Sequence, residues 1–174
     1  MQITPEAGER ESCQVRYDDA VAMTTRRTDI GLMNIAISEA RKSLSEGGVP
    51  IGAVLARGDT MLSSGHNERV QRGDPIAHGE IACLRNAGCQ ESYRDTTLYT
   101  TLSPCEMCSG AILFFKIPRV VVGEATTYRG DLNYLRRKGI EIILLDDGSC
   151  IRLMTKFRQE HPGIWLEDDT GEVG

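Results

Sequence analysis

Two short stretches constrain this chain more than anything else in it: His78-Gly79-Glu80, and Ser103-Pro104-Cys105-Glu106-Met107-Cys108. Ser103 reads as an N-cap, Pro104 suits the first helical position, and Glu106 three residues after Ser103 completes a capping box. Cys105 and Cys108 then stand three apart on one face of a first helical turn, where free backbone N–H groups and the helix dipole favour thiolate over thiol. His78 and Glu80 are two apart, which in mid-helix would send them to different sides. In a first turn the Cα–Cβ bonds tilt toward the N-terminus, so both can reach an ion lying off the helix end. Any fold of this chain must therefore bring two helix N-termini to one point.

Together these stretches supply three zinc-type ligands and one carboxylate. A tetrahedral zinc with three protein ligands keeps its fourth position for water, which separates a catalytic site from a closed structural one. His78, Cys105 and Cys108 are the expected ligands of Zn2+, one ion per subunit, and Glu80 the group that moves protons. The sequence has neither the second Cys-x-x-Cys nor the His-x-x-x-His that a structural zinc site would favour. Cys13, Cys83, Cys89 and Cys150 are scattered; the last three read as buried or bystander thiols. His66 and His161 have no ligand spacing. His-x-Glu followed by Pro-Cys-x-x-Cys is the pattern of zinc-dependent nucleobase deaminases.

The remainder of the chain gives the frame. Residues 1–27 are polar and aperiodic, carry five acids, and read as a poorly ordered N-terminal extension; residues 28–174 form one domain. Ile30, Met33, Ile37, Ala40 and Leu44 recur at helical spacing up to Gly47-Gly48, with Thr28 or Asp29 as cap. Ile51–Arg57 and Met61–His66 are strand-like around a Gly58-Asp59 hairpin turn. Asp74-Pro75 opens a second helix running to Ala87, Thr97–Thr101 alternates like a strand, and a third helix covers Pro104 to about Lys116. Arg119–Gly123 and Ile140–Leu145 have buried-strand length, with a helical stretch from Asp131 to Lys138 between them. A last helix spans Ser149–Glu160, ahead of an acidic tail. This alternation predicts a three-layer α/β/α sandwich around a central five-stranded mixed sheet.

At 174 residues the chain can bury a single core, and it carries 20 Lys and Arg against 25 Asp and Glu, a net charge of −5. Phosphate-dominated binding needs cations, so nucleic acid is disfavoured as a partner. No run reaches the roughly 18 apolar residues of a membrane helix. Six cysteines without an apolar secretory segment suggest a reducing compartment, hence a cytoplasmic protein with access to the nucleus. Ile112 to Phe115 is apolar nearly all round, which suits either the core or a subunit interface.

The stretch Thr101 to Cys108, continuing through Ser109-Gly110-Ala111-Ile112, resembles the fungal cytosine deaminases, as do His78-Gly79-Glu80, Gly47 to Gly52, Gly65-His66-Asn67 and Trp165-Leu166-Glu167-Asp168. These belong to the cytidine deaminase-like superfamily, and the likeness covers roughly Thr28 to Asp168. Gly79 stands where relatives acting on tRNA adenosine or guanine usually have alanine, and so leans toward the cytosine branch. Tyr128 replaces a usual phenylalanine, and Leu166 a usual phenylalanine in the tail.

The resemblance implies hydrolytic deamination of cytosine to uracil and ammonia, with Glu80 as the proton carrier and zinc activating the water. It implies that Asn67 reads the O2/N1 side of the base and that Asp168 faces the exocyclic amine together with the Ser103 carbonyl. Backbone N–H groups of Glu80 and Cys105 would contact the ring or its oxygen, Gly79 would belong to the substrate-binding set, and Ile51, Leu102, Tyr128 and Trp165 would wall the pocket. A lid of Trp165 to Asp168 would fill the place of a ribose and favour a free pyrimidine base. A homodimer is also implied. The alternatives are a guanine or tRNA adenosine deaminase of the same superfamily and, more distantly, a non-catalytic zinc-binding protein.

Overall fold

A computed structural model describes residues 7–170, with side chains for residues 22–169. Its elements in chain order are α1 (Ala7–Ser45), β1 (Gly52–Arg57), β2 (Thr60–His66), α2 (Arg69–Arg72), α3 (Gly79–Ala87), β3 (Thr97–Leu102), α4 (Glu106–Phe115), β4 (Arg119–Glu124), α5 (Leu132–Arg137), β5 (Glu141–Leu144), α6 (Gly148–Glu160) and α7 (Pro162–Thr170).

Side-chain alternation in the strands sets the layers. In β1, Ala53 and Leu55 join one apolar cluster and Val54 and Ala56 another, all four fully buried. β4 repeats this with Val120 and Val122 against Val121. Strands buried on both faces need helices on both faces. α3, α4 and α5 supply Leu84, Ile112 and Leu135 to one side, and α1 and α6 supply Leu32, Met33, Ala36, Ile37 and Cys150 to the other. The result is the expected three-layer sandwich.

The sheet order is β2-β1-β3-β4-β5. β1 runs antiparallel to β2 and β3, while β3, β4 and β5 are parallel. Helix and sheet approach closely at Gly52, where a Cβ would lie 2.1 Å from the Ala36 carbonyl oxygen, and at Gly65, where it would lie 2.5 Å from the Cys83 nitrogen.

Several expected boundaries shift. α1 does not begin at Thr28 or Asp29 but runs continuously from Ala7, so the described part of the expected extension is helical, with residues 22–27 exposed. No glycine or proline interrupts residues 9–30, and a helix already nucleated propagates through such a stretch. Asp29 is no cap: it is buried, receives Arg119 Nη1 and Nη2 at 2.9 and 2.8 Å, and accepts the Tyr99 hydroxyl at 2.9 Å. Residues 1–6 and the side chain of Cys13 lie outside the described residues.

The second expected helix is two elements. α2 is a single turn, and Asp74 closes an Asx turn by accepting the Ile76 N–H at 3.1 Å, which delays α3 to Gly79. β5 pairs only with β4 and is half-exposed as an edge strand, so Ile140–Leu145 is not a buried strand. Part of the acidic tail is helical, as α7.

Candidate active site

α3 and α4 begin side by side, and their N-caps are the residues with ligand chemistry. His78 caps α3 with φ −66° and ψ 159°; Cys105 caps α4 with φ −71° and ψ 177°. Extended backbone at both positions carries the side chains off the helix ends, and Cys105 Sγ lies 3.6 Å from His78 Nδ1. The capping box expected at Ser103 and Glu106 is therefore absent: the cap falls two residues later, and the Ser103 hydroxyl is buried with no hydrogen-bond partner among the described residues. Cys108, buried in the first turn of α4, completes the group. The ligand atoms of His78, Cys105 and Cys108 all lie within 4.8 Å of one another. One tetrahedral ion with bonds of about 2.0 to 2.3 Å bridges such a set, and two sulfurs with one imidazole suit zinc.

Glu80 enters from the first turn of α3 and is 3% exposed. Its Oε1 accepts the Thr100 hydroxyl at 2.9 Å, and its Oε2 accepts the Cys108 thiol at 3.4 Å. A small pocket opens over these groups. Ile51 and Leu102 form apolar lining with Tyr128 and Trp165, whose rings meet edge to face at 6.0 Å between centroids. Asp168 and Asp169 bring carboxylates from α7. Asp168 Oδ1 lies 3.9 Å from His78 Nε2. A larger, more open groove lined by Glu106, Arg129, Asp131 and Arg136 contains none of His78, Glu80, Cys105 or Cys108.

Residues 26–124 match the cytidine and deoxycytidylate deaminase zinc-binding region. The chain belongs to this deaminase family. It is 48% identical over 139 residues to the cytosine deaminase of Candida albicans, covering 78% of this chain and 93% of that protein. A tRNA-specific adenosine deaminase of Streptococcus pyogenes is 38% identical over 106 residues, 59% of this chain and 62% of the relative. Among solved structures, one from work on tRNA:A34 deaminases that edit A to I at the wobble position superposes with a TM-score of 0.63 at 28% identity, covering 71% of this chain and 99% of that one. Guanine deaminase from Nitrosomonas europaea shares the fold, with a TM-score of 0.64 at 20% identity over 74% of this chain and 83% of its own.

The deaminase's ligand residues differ in charge. A hydrogen bond from Cys108 holds the Cys105 thiol down to about 4; burial opposes this and His78 reinforces it. Burial works against a charged His78, but the hydrogen bond to Cys105 and the negative charges of Asp168, Cys105 and Glu80 outweigh it and push the imidazole up to about 9. Cys108, whose one S–H is shared between Cys105 and Glu80 Oε2 and which is buried, is pushed well above the usual thiol range. The two sulfurs are thus not equally ready for metal: without the ion, Cys105 is a thiolate and Cys108 keeps its proton. Burial, and then the Cys105 charge, raise the Glu80 carboxyl, as suits a group that must hold a proton.

Of the residues expected around the substrate, Ile51, Leu102, Ser103, Tyr128, Trp165 and Asp168 line the deaminase's pocket. Gly79 sits against Ile51, where a Cβ would lie 3.0 Å from its carbonyl oxygen. Asn67 is fully buried behind the pocket: its Oδ1 accepts the Arg69 N–H and its Nδ2 donates to Asp168 Oδ1, both at 3.0 Å. Sequence reasoning missed Thr100 and Arg69, and also Arg158, whose guanidinium lies 5.2 Å from the Trp165 ring centroid and donates to the Thr127 carbonyl. The one available signal was charge complementarity, since the acidic run Glu167 to Asp169 needs a cation once it folds back.

Proposed function

We propose that this deaminase acts on free cytosine, converting cytosine and water to uracil and ammonia. The observation that carries the reading is that Trp165 and Asp168 of α7 line the same pocket as His78, Glu80 and Cys105; in this reading α7 fills the space that the sugar of a nucleoside or polynucleotide would need. The 48% identity to the Candida albicans cytosine deaminase supports the same substrate, and the net charge of −5 suits a small base better than tRNA.

His78, Cys105 and Cys108 would hold zinc, which when bound would supply Lewis acidity able to lower a water's pKa from 15.7 to about 7. Glu80 takes one proton from the attacking water and gives it to ring N3, then moves the second to the exocyclic nitrogen, so that ammonia leaves and uracil keeps the N3 proton. Ionisation of Cys108 frees Glu80 Oε2 for this shuttle, while Thr100 keeps Oε1 in place. Asp168 and the Ser103 carbonyl receive the amino group, Asn67 reads the O2/N1 side, Gly79 lies beside the ring, and Tyr128 and Trp165 wall the pocket by apolar contact.

The active species in this reading is a homodimer. α4 buries Cys108, Ser109 and Ile112 but leaves Met107, Phe114 and Phe115 exposed, Phe114 at 76%, an apolar face suited to a second copy. The paired thiols need a reducing compartment, so the protein works in the cytoplasm, with access to the nucleus.

Ultraviolet assay of the zinc-loaded protein against cytosine, cytidine, guanine and an adenosine-bearing tRNA anticodon stem tests the substrate. Loss of cytosine absorbance alone is expected; turnover of guanine or tRNA with cytosine unchanged overturns the reading. Light scattering at twice the monomer mass, falling to one mass in Phe114→Glu, tests the dimer.

A further inference from the structure

Arg69 holds Asp168, which lines the pocket, and the α7 residues around it, without lining the pocket itself. Its Nε donates to Asp168 Oδ1 at 2.9 Å, its Nη1 to Glu167 Oε2 at 3.2 Å, and its Nη2 to the Ile164 carbonyl at 2.9 Å. Its backbone N–H donates to Asn67 Oδ1 at 3.0 Å. The Asn67 amide is therefore committed at both ends, to Arg69 and to Asp168 Oδ1. Asp168 is committed at Oδ1 only, and Oδ2 has no hydrogen-bond partner among the described residues. The Arg69 and Asp168 side chains are 13% and 3% exposed, so this ion pair is shielded from water and screened little by salt.

We propose that Arg69 is the positioning residue of the closed site. Its three guanidinium donors bind α7 at a carboxylate, a second carboxylate and a main-chain carbonyl, and its N–H sets the Asn67 amide against the same Asp168 oxygen. Lid closure and assembly of the base-reading pair are then one event: when α7 docks, Asp168 Oδ1 is occupied and Oδ2 is left to face the exocyclic amine. A lysine cannot substitute, because one ammonium does not reproduce a planar fork aimed at three acceptors. Arg69 acts through Asp168 and α7 and need not touch the base itself. This rests on the reading of Asp168 as an amine-facing group, but the docking of α7 can be followed without turnover.

The test uses the zinc-loaded full-length protein, Arg69→Gln, Arg69→Lys, Asp168→Asn and the double variant Arg69→Gln/Asp168→Asn. Acrylamide quenching and the emission maximum of Trp165, the single tryptophan, report lid docking, and cytosine kinetics report the site. Arg69→Gln is expected to move the emission to longer wavelength and to lower kcat/KM about 100-fold, as a misplaced contact group does. Arg69→Lys should fall between, and zinc content should stay at wild type. The double variant should lose less than the product of the two single losses, because the Arg69–Asp168 contact is removed in both while the Glu167 and Ile164 contacts are lost only with Arg69. Unchanged Trp165 quenching in Arg69→Gln, or losses that multiply in the double variant, overturn the proposal. Should Arg69→Gln fail to fold, Arg69→Lys with wild-type quenching and kinetics overturns it equally. A wild-type protein that leaves cytosine untouched would sink the substrate reading, with the fluorescence result still deciding the role of Arg69.

Discussion

The Thr100 hydroxyl donates to Glu80 Oε1 at 2.9 Å from the centre of the sheet, so a strand residue sets the carboxylate that a helix supplies. Thr100 is fully buried, and its hydroxyl also lies 3.0 Å from the Leu102 carbonyl. Thr100→Val removes the donor and leaves Oε1 free to swing. The expected loss is about tenfold in kcat, roughly 1.4 kcal/mol of barrier, with KM for cytosine near wild type. A KM effect without a kcat effect would place Thr100 with binding.

Glu80 stands apart from the three metal ligands, so metal loading and turnover can be separated. Glu80→Gln should keep one zinc per chain by atomic absorption and lose cytosine turnover by at least about 100-fold, since a proton carrier contributes about 10²–10⁴. An active, zinc-loaded Glu80→Gln protein would remove Glu80 from the reaction.

Metal uptake should be coupled to protons with a definite sign. At pH 7 the metal-free protein holds Cys105 as thiolate, being pushed to about 4, His78 as imidazolium, being pushed to about 9, and Cys108 as thiol. Binding needs both thiolates and a neutral imidazole, so about two protons leave per zinc at pH 7, one from His78 and one from Cys108. Above pH 9 His78 is already neutral, the release falls toward one and affinity rises; below pH 4 Cys105 is protonated as well, and affinity falls. Titration calorimetry in two buffers of different ionisation enthalpy counts these protons, and a release of zero at pH 7 would contradict the assigned charge states.

The Asp29–Arg119 pair fastens α1 to the sheet away from the pocket, with side chains 6% and 17% exposed. Arg119→Met strands a buried carboxylate at a cost of about 3 to 5 kcal/mol, or a fall in Tm of roughly 10 °C for a chain of this length. Activity at 25 °C should change less than about twofold. Thermal unfolding alongside cytosine kinetics separates the two effects.

The metal ligands were readable because their information is local. Residues 78 to 80 and 105 to 108 each lie on one turn, and helix-end chemistry says where such side chains go. The strands were readable for the same reason, as short apolar runs, although the layers that Val54 and Leu55 enter are fixed only by the helices packed on either side. Cap positions were not: Ser103 has every attribute of an N-cap, yet the helix starts after Cys105, because the chain leaves β3 extended as far as the ligand. The turn at Asp74 hid the start of α3 in the same way, by offering a side chain that closes a turn as readily as it caps a helix. Arg69 was beyond reach, since its partner Asp168 lies 99 residues on and only the folded chain joins them. Asp29 reads as a helix start until its partner Arg119 appears 90 residues later.

The order of elements along the chain has a bearing on biosynthesis. All three metal ligands lie between residues 78 and 108, and the fifth strand ends at Leu144, whereas Trp165 and Asp168 sit in the last described helix. Synthesis therefore passes every metal ligand and every strand before it reaches the lid residues. A chain carried only as far as β5 would hold every metal ligand and yet have no lid to enclose a base.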